Sequence, residues 1–213
     1  MIRASLHLTV LAGTLALAAA CSGTFTSKAP VSRAYVLHAA PAAESAAAAP
    51  RFDGTLRIQR ANAGPGFETD RVLLLRERRE LDFYATGHWA APIPDMVAAL
   101  AIETLRRTAL FPGVYGEGTP MRADYFLQIA VRDFVAEYAE GGEAPVARVV
   151  LDCTLGRRLD RTVIASFTAR GEAAATANRM GEVIGAYESA LQQALAGVSA
   201  SLAAAAKRPP PPA

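Results

Sequence analysis

Three stretches in the second half of this sequence alternate apolar and polar residues, with only short turns between them. Asp124 to Tyr138 places Tyr125, Leu127, Ile129 and Val131 on one side. Val146 to Leu155 does the same with Val149, Leu151, Cys153 and Leu155, and Thr162 to Ala169 with Val163, Ala165 and Phe167. A period of two means strands with one face turned to a core. The breaks at Gly141-Gly142 and Leu159-Asp160-Arg161 are too short for a crossover, so consecutive strands must pair antiparallel. An apolar sheet face then needs a covering layer.

Two amphipathic segments can supply that layer. Pro92 and Pro94 open a helix, with Asp95 in its first turn against the positive end of the dipole. Val97, Ala98, Ala101, Ile102, Leu105 and Ala109 form its apolar stripe, opposite Glu103, Arg106 and Arg107, and Pro112-Gly113 stops it. A second helix is expected from about Asn178 to Ala205. Met180, Val183, Ile184, Tyr187, Leu191, Ala194, Val198 and Leu202 recur there at three and four. Gly181, Gly185 and Gly197 each cost about 1 kcal/mol relative to alanine, which points to close packing or local fraying. Ahead of the first helix, Thr55 to Arg60, Val72 to Leu75 and Glu80 to Thr86 read as strands, and Tyr35-Val36-Leu37 as a β-prone island at a sheet edge. Asn62 to Gly66 reads as a turn, and Arg76 to Glu80 as a solvated turn of mixed charge. The order predicts an α+β fold of two layers: a mainly antiparallel sheet with two amphipathic helices on one face.

The N-terminus reads as a targeting segment. Arg3 is the one basic residue before an apolar run, Leu8 to Ala20. That run is shorter than the roughly 20 residues a bilayer core requires. Residues 1–20 therefore form a signal peptide. The ending Leu17-Ala18-Ala19-Ala20-Cys21 resembles a bacterial lipobox, with Cys21 as the lipid-bearing residue. Ordinary cleavage after the A-x-A sequence is the alternative. Ser22, in place of the aspartate associated with inner-membrane retention, points by the same resemblance to the outer membrane. The organisation expected is a tether over 21–31, a single domain over 32–205 and a proline-rich disordered tail over 206–213. Within the domain, the alanine-rich residues 41–53 form a flexible loop.

Composition narrows the function. The formal charge of +2 is nearly neutral and makes no case for nucleic acid, which would need a basic face. If Cys21 carries lipid, Cys153 has no partner, and its place in an alternating run marks a buried thiol. His38 and His88 have no metal-ligand spacing with each other or a cysteine. No P-loop, G-x-G-x-x-G, G-x-S-x-G or H-E-x-x-H occurs. No catalytic residue, cofactor or metal ligand is expected. One segment stands out, Asp82 to Pro92, which holds Tyr84 and the single tryptophan, Trp89, between a strand and a helix. Trp89 is either a plug closing the sheet over the helix or an aromatic anchor at a partner surface, with Tyr84 beside it.

The succession of lipobox, Tyr35-Val36-Leu37, Leu56-Arg57-Ile58, Tyr84, His88-Trp89-Ala90, amphipathic helix, Ala123-Asp124-Tyr125-Phe126-Leu127, strand pair and terminal helix resembles the ABC-type transport auxiliary lipoprotein family, its PqiC-like group. The resemblance covers nearly all of residues 31–200. It implies a non-enzymatic outer-membrane lipoprotein facing the periplasm, docking to the MCE-domain protein of an ABC transporter that moves phospholipid between membranes. Phospholipid as a ligand and a homo-oligomer are both compatible with it. A structural or assembly lipoprotein for envelope integrity is the alternative.

Overall fold

In the computed structural model, residues 32–40, 51–77 and 79–207 are described. Residues 1–20, Cys21, the tether, residues 41–50 and the tail from Arg208 lie outside the described residues. The strands are β1 (Arg33–Tyr35), β2 (Leu56–Ile58), β3 (Asn62–Ala63), β4 (Arg71–Arg76), β5 (Glu80–Trp89), β6 (Val114–Gly116), β7 (Tyr125–Tyr138), β8 (Val146–Arg157) and β9 (Val163–Ala174). The helices among the described residues are α1 (Ile93–Thr108) and α2 (Met180–Ala206). The nine strands among the described residues form one mixed, open sheet, which gives the α+β class.

The meander β7–β8–β9 pairs antiparallel along almost its whole length. Leu127, Ile129 and Val131 face inward, as their alternation requires. A bulge between Val131 and Asp133 then moves the inward set to Phe134 and Ala136. One extra residue flips every side chain beyond it to the other face. The other edge of β7 is shared. β2 and β3 run parallel to its first half and β4 parallel to its end. β4 pairs antiparallel with β5, β1 adds to β5 in parallel, and β6 adds to β2. These parallel additions have only two or three residues each, too few for a periodic signal. β3 and β6 have no counterpart in the sequence reading, which gave Asn62 to Gly66 as a turn.

Both helices pack on the inward face and touch each other. α2 lies over β9 and β8. Its buried line includes Val183, Tyr187, Leu191, Ala194, Val198 and Leu202. The close approach that the helix glycines suggested is found on the strand below. A Cβ at Gly171 would sit 1.9 Å from the Ala190 carbonyl oxygen; on the helix, one at Gly197 would touch Ala169 at 3.5 Å, whereas Gly181 and Gly185 have open space around them. α1 follows Pro92 as its N-cap and buries Val97, Ala98, Ala101 and Leu105 together with Ile93, Met96 and Leu100. Ala109 leaves the stripe: it is the exposed left-handed cap at φ 52°. No described helix is long and apolar enough to cross a membrane.

Candidate functional site

The strand-to-helix junction is built around β5. The two-residue step from Arg71 to Leu73 on β4 is matched by the five-residue step from Phe83 to His88 on β5. This large bulge lets Tyr84 and Trp89 serve the same inner face despite their odd spacing. The Trp89 amide donates to the Asp70 carbonyl at 2.6 Å, Ala90 to Tyr35 at 2.9 Å and Ile93 to Thr69 at 2.9 Å. The turn into α1 is thereby fixed on both sides.

Trp89 is 1% exposed. Its ring meets Phe134 edge-on at 5.8 Å and Tyr187 edge-on at 5.2 Å, and those two stack at 5.1 Å. Such pairs add roughly 0.5–1.5 kcal/mol beyond burial. The triad joins β5, β7 and α2. Tyr187 donates its hydroxyl to the Leu73 carbonyl. The Trp89 Nε1–H is buried without an acceptor among the described residues, so the indole contributes its rings rather than its polar edge.

Tyr84 is half-buried at the rim of this layer. Its hydroxyl lies 2.8 Å from that of Tyr138, which donates to Asn178 Oδ1 at 2.7 Å. Loss of water, then the Tyr138 hydrogen bond, raises the Tyr84 pKa above the ordinary phenol value. Beyond Tyr138 opens an acidic cavity of about 600 Å³, lined by Glu77, Glu137, Glu140 and Glu172 around Arg148. Arg148 pairs with Glu137 and lies 3.6 Å from Asp133.

The segment 32–40 is docked. Leu37 is buried, the His38 amide donates to Glu188 at 2.8 Å, and Gln192 donates to the His38 carbonyl at 3.0 Å. His88 Nδ1 is 2.9 Å from the Ser32 hydroxyl. Cys153 is a buried free thiol, pushed up to about 12 by burial and then by the charge of Asp152, so thiolate chemistry is suppressed. Among the described residues, no group of three or more His, Cys, Asp or Glu is placed to hold a metal. Cys21 lies outside the described residues.

The opposite end of the meander, the turn at Leu159-Asp160-Arg161, carries an exposed apolar residue among basic ones. Leu159 is 92% exposed, beside a second cavity of about 580 Å³ lined in part by Arg122, Arg157 and Arg158. The only sequence signal was an apolar residue between basic ones inside a turn.

The model of the family described as ABC-type transport auxiliary lipoprotein component matches residues 35–201. No curated protein matches the chain. Among solved structures, a Xanthomonas campestris protein of the DUF330 family is 24% identical, with a TM-score of 0.67, over 82% of this chain and 94% of that one. A second, described as an uncharacterized protein, is 15% identical with a TM-score of 0.60, over 82% and 97%. At these identities the two structures show the shared fold.

Proposed function

The chain belongs to the ABC-type transport auxiliary lipoprotein component family, and from that premise we propose that it is the outer-membrane docking lipoprotein of a transporter moving phospholipid between membranes. Its partner in this reading is the MCE-domain protein of that transporter. Cys21 carries the lipid, residues 21–31 form the tether, and the domain over 32–205 faces the periplasm. The family match across residues 35–201 carries the reading. The family is a transport auxiliary component, not an enzyme class. The docked segment 32–40 supports a domain that begins directly after the tether, and the burial of Trp89 supports its role as a plug rather than an anchor.

The test is chemical crosslinking in intact cells followed by purification of this protein from membranes. The MCE-domain protein encoded with the transporter is expected in the crosslinked species. Its absence, with envelope integrity lost on deletion but phospholipid exchange unchanged, would replace transport by a structural role. Acyl labelling tests the anchor separately: Cys21→Ala should abolish it.

A further inference from the structure

The β8–β9 turn is a rigid tip with an unusual surface. Its acid is used internally. Asp160 accepts from the Thr162 hydroxyl at 2.7 Å, the Thr162 amide at 3.1 Å and Arg157 Nη1 at 3.2 Å. These bonds hold its carboxyl below the usual carboxylate range, the Thr162 hydroxyl most of all. Arg161 is fixed in the left-handed region at φ 58°. The Arg158 amide donates to the Asp124 carbonyl at 2.8 Å, which brings the 121–124 loop alongside. Arg57 secures that loop through the Thr119 and Met121 carbonyls.

Apolar and cationic groups are left pointing outward. Leu159 is 92% exposed and Met121 55%, and Val163, which alternation groups with Ala165 and Phe167 on the core side, is 58% exposed beyond the register shift between Leu155 and Gly156. Arg122, Arg158 and Arg161 are exposed, and none has a carboxylate partner among the described residues. Asp53 and Asp124 line the same cavity as Arg122 and Arg158, but Asp124 already accepts from the Thr55 amide at 2.8 Å. α2 runs back along β9, so Lys207 leaves the helix toward this end as well.

We propose that this tip is a membrane-contacting loop, seated in the headgroup layer of a bilayer containing anionic phospholipid. Leu159 enters the apolar boundary while Arg122, Arg158 and Arg161 meet lipid phosphates. An exposed apolar point among cationic side chains matches the order of a bilayer surface, apolar inside and anionic outside. A protein partner would call for a broader, complementary face. The proposal rests on the anchor proposed at Cys21 only for proximity: the 11 residues 21–31 span at most about 40 Å when extended. Labels at 163 and 140 share one anchored chain, so their comparison separates failure of the tip from failure of the anchor.

The full chain, purified from membranes in detergent, is reconstituted into vesicles of phosphatidylcholine alone or mixed with phosphatidylglycerol. Val163→Cys carries an environment-sensitive fluorophore, and doxyl-labelled lipid is the quencher. Cys153 is buried and the proposed lipid occupies the Cys21 thiol, so the chain without the new cysteine should take no label and serves as the blank. The label at 163 should shift to the blue and be quenched in phosphatidylglycerol vesicles, at about tenfold less lipid than in phosphatidylcholine. A label on Glu140→Cys, at the other end of the meander, should stay in water. Arg158→Ser with Arg161→Ser should abolish the phosphatidylglycerol preference, and Leu159→Asp should weaken quenching in both vesicles. Unchanged near-ultraviolet circular dichroism would confirm that these variants fold. A label at 163 that stays in water overturns the proposal, as does equal quenching at 140. If the arginine pair instead governs crosslinking to the transporter while the label stays in water, the tip meets an acidic protein surface and the lipid reading fails.

Discussion

The half of the molecule under α2 and the half under α1 solve the same problem in different ways. α2 has 27 residues over antiparallel strands of 12 and 14 residues. Its contact is nearly backbone to backbone at Gly171. α1 has 16 residues over strands of two and three residues that pair parallel, with β7 as their shared support. Each half has an aromatic triad. Trp89, Phe134 and Tyr187 sit between sheet and helix and are almost wholly buried. Phe52, Phe111 and Tyr125 close loops onto the start of β7, with Phe52 and Phe111 stacked at 4.5 Å and Tyr125 only half-buried. Long regular pairing concentrates stability under α2. The α1 half depends on loops being held in place.

The largest effect should come from emptying the first triad. Trp89→Ala should cost about 3–5 kcal/mol, as expected for deleting a large buried aromatic. Trp89→Phe keeps a ring and removes an indole N–H that has no acceptor, so it should recover most of that loss. Urea unfolding of both variants measures the difference. If Trp89→Phe folds like the parent yet loses its crosslink to the transporter, Trp89 is an anchor and the plug assignment falls.

Next is Gly171→Ala. The added methyl meets the Ala190 carbonyl oxygen at 1.9 Å, and a backbone atom cannot rotate away. Overpacking of this kind costs about 1–3 kcal/mol, and here α2 must lift from β9. Gly181→Ala on the same helix meets open space and should stabilise by a few tenths to 1 kcal/mol through helix propensity. Opposite signs for the two variants in thermal unfolding would sharpen the contrast between the glycines. A destabilising Gly181→Ala would contradict it.

Phe52→Ala should cost less than Trp89→Ala, because its ring partner Tyr125 is only half-buried and the site can collapse further. Its amide still donates to the Leu110 carbonyl at 3.0 Å. Hydrogen exchange should speed up locally in residues 51–58 and 110–116 before global unfolding. A loss as large as that of Trp89→Ala would show that the two halves unfold as one unit.

The same contrast explains what could be read from the chain alone. Leu127, Ile129 and Val131, the Val149 to Leu155 run and the α2 stripe follow one period for many residues, so their faces were legible. The bulge after Val131 had no signature beyond the interruption at Arg132-Asp133. β3 and β6 are formed by pairing with distant strands, and two or three residues cannot display a period. Gly171 looked like any strand glycine, since its reason lies on α2. Trp89 and Tyr84 were visible by composition, but the bulge that turns both inward was not. The tip at Leu159 read as a turn because turn chemistry and surface chemistry use the same residues.

The smallest expected effect concerns Tyr84, at the rim of the α2 half. Burial and its bond to Tyr138 raise its pKa, and burial raises that of Tyr187. A phenol whose folded pKa exceeds its unfolded value of 10.0 stabilises the fold below that pH. The contribution is lost as pH rises above it, because the unfolded chain releases the proton first. Cys153 acts in the same sense from 9.0 to about 12. Stability should therefore decline steadily with alkali from about pH 9. Tyr84→Phe removes one contributor and leaves Tyr187 and Cys153. Near neutral pH it should cost less than about 1 kcal/mol, since Tyr138 keeps its bond to Asn178. Between pH 10 and 12 its urea midpoint should fall less steeply than the parent's, because one fewer phenol is held neutral against the solvent. An equal slope would mean that water reaches Tyr84 freely and that the Tyr84–Tyr138–Asn178 chain does not seal the rim under α2.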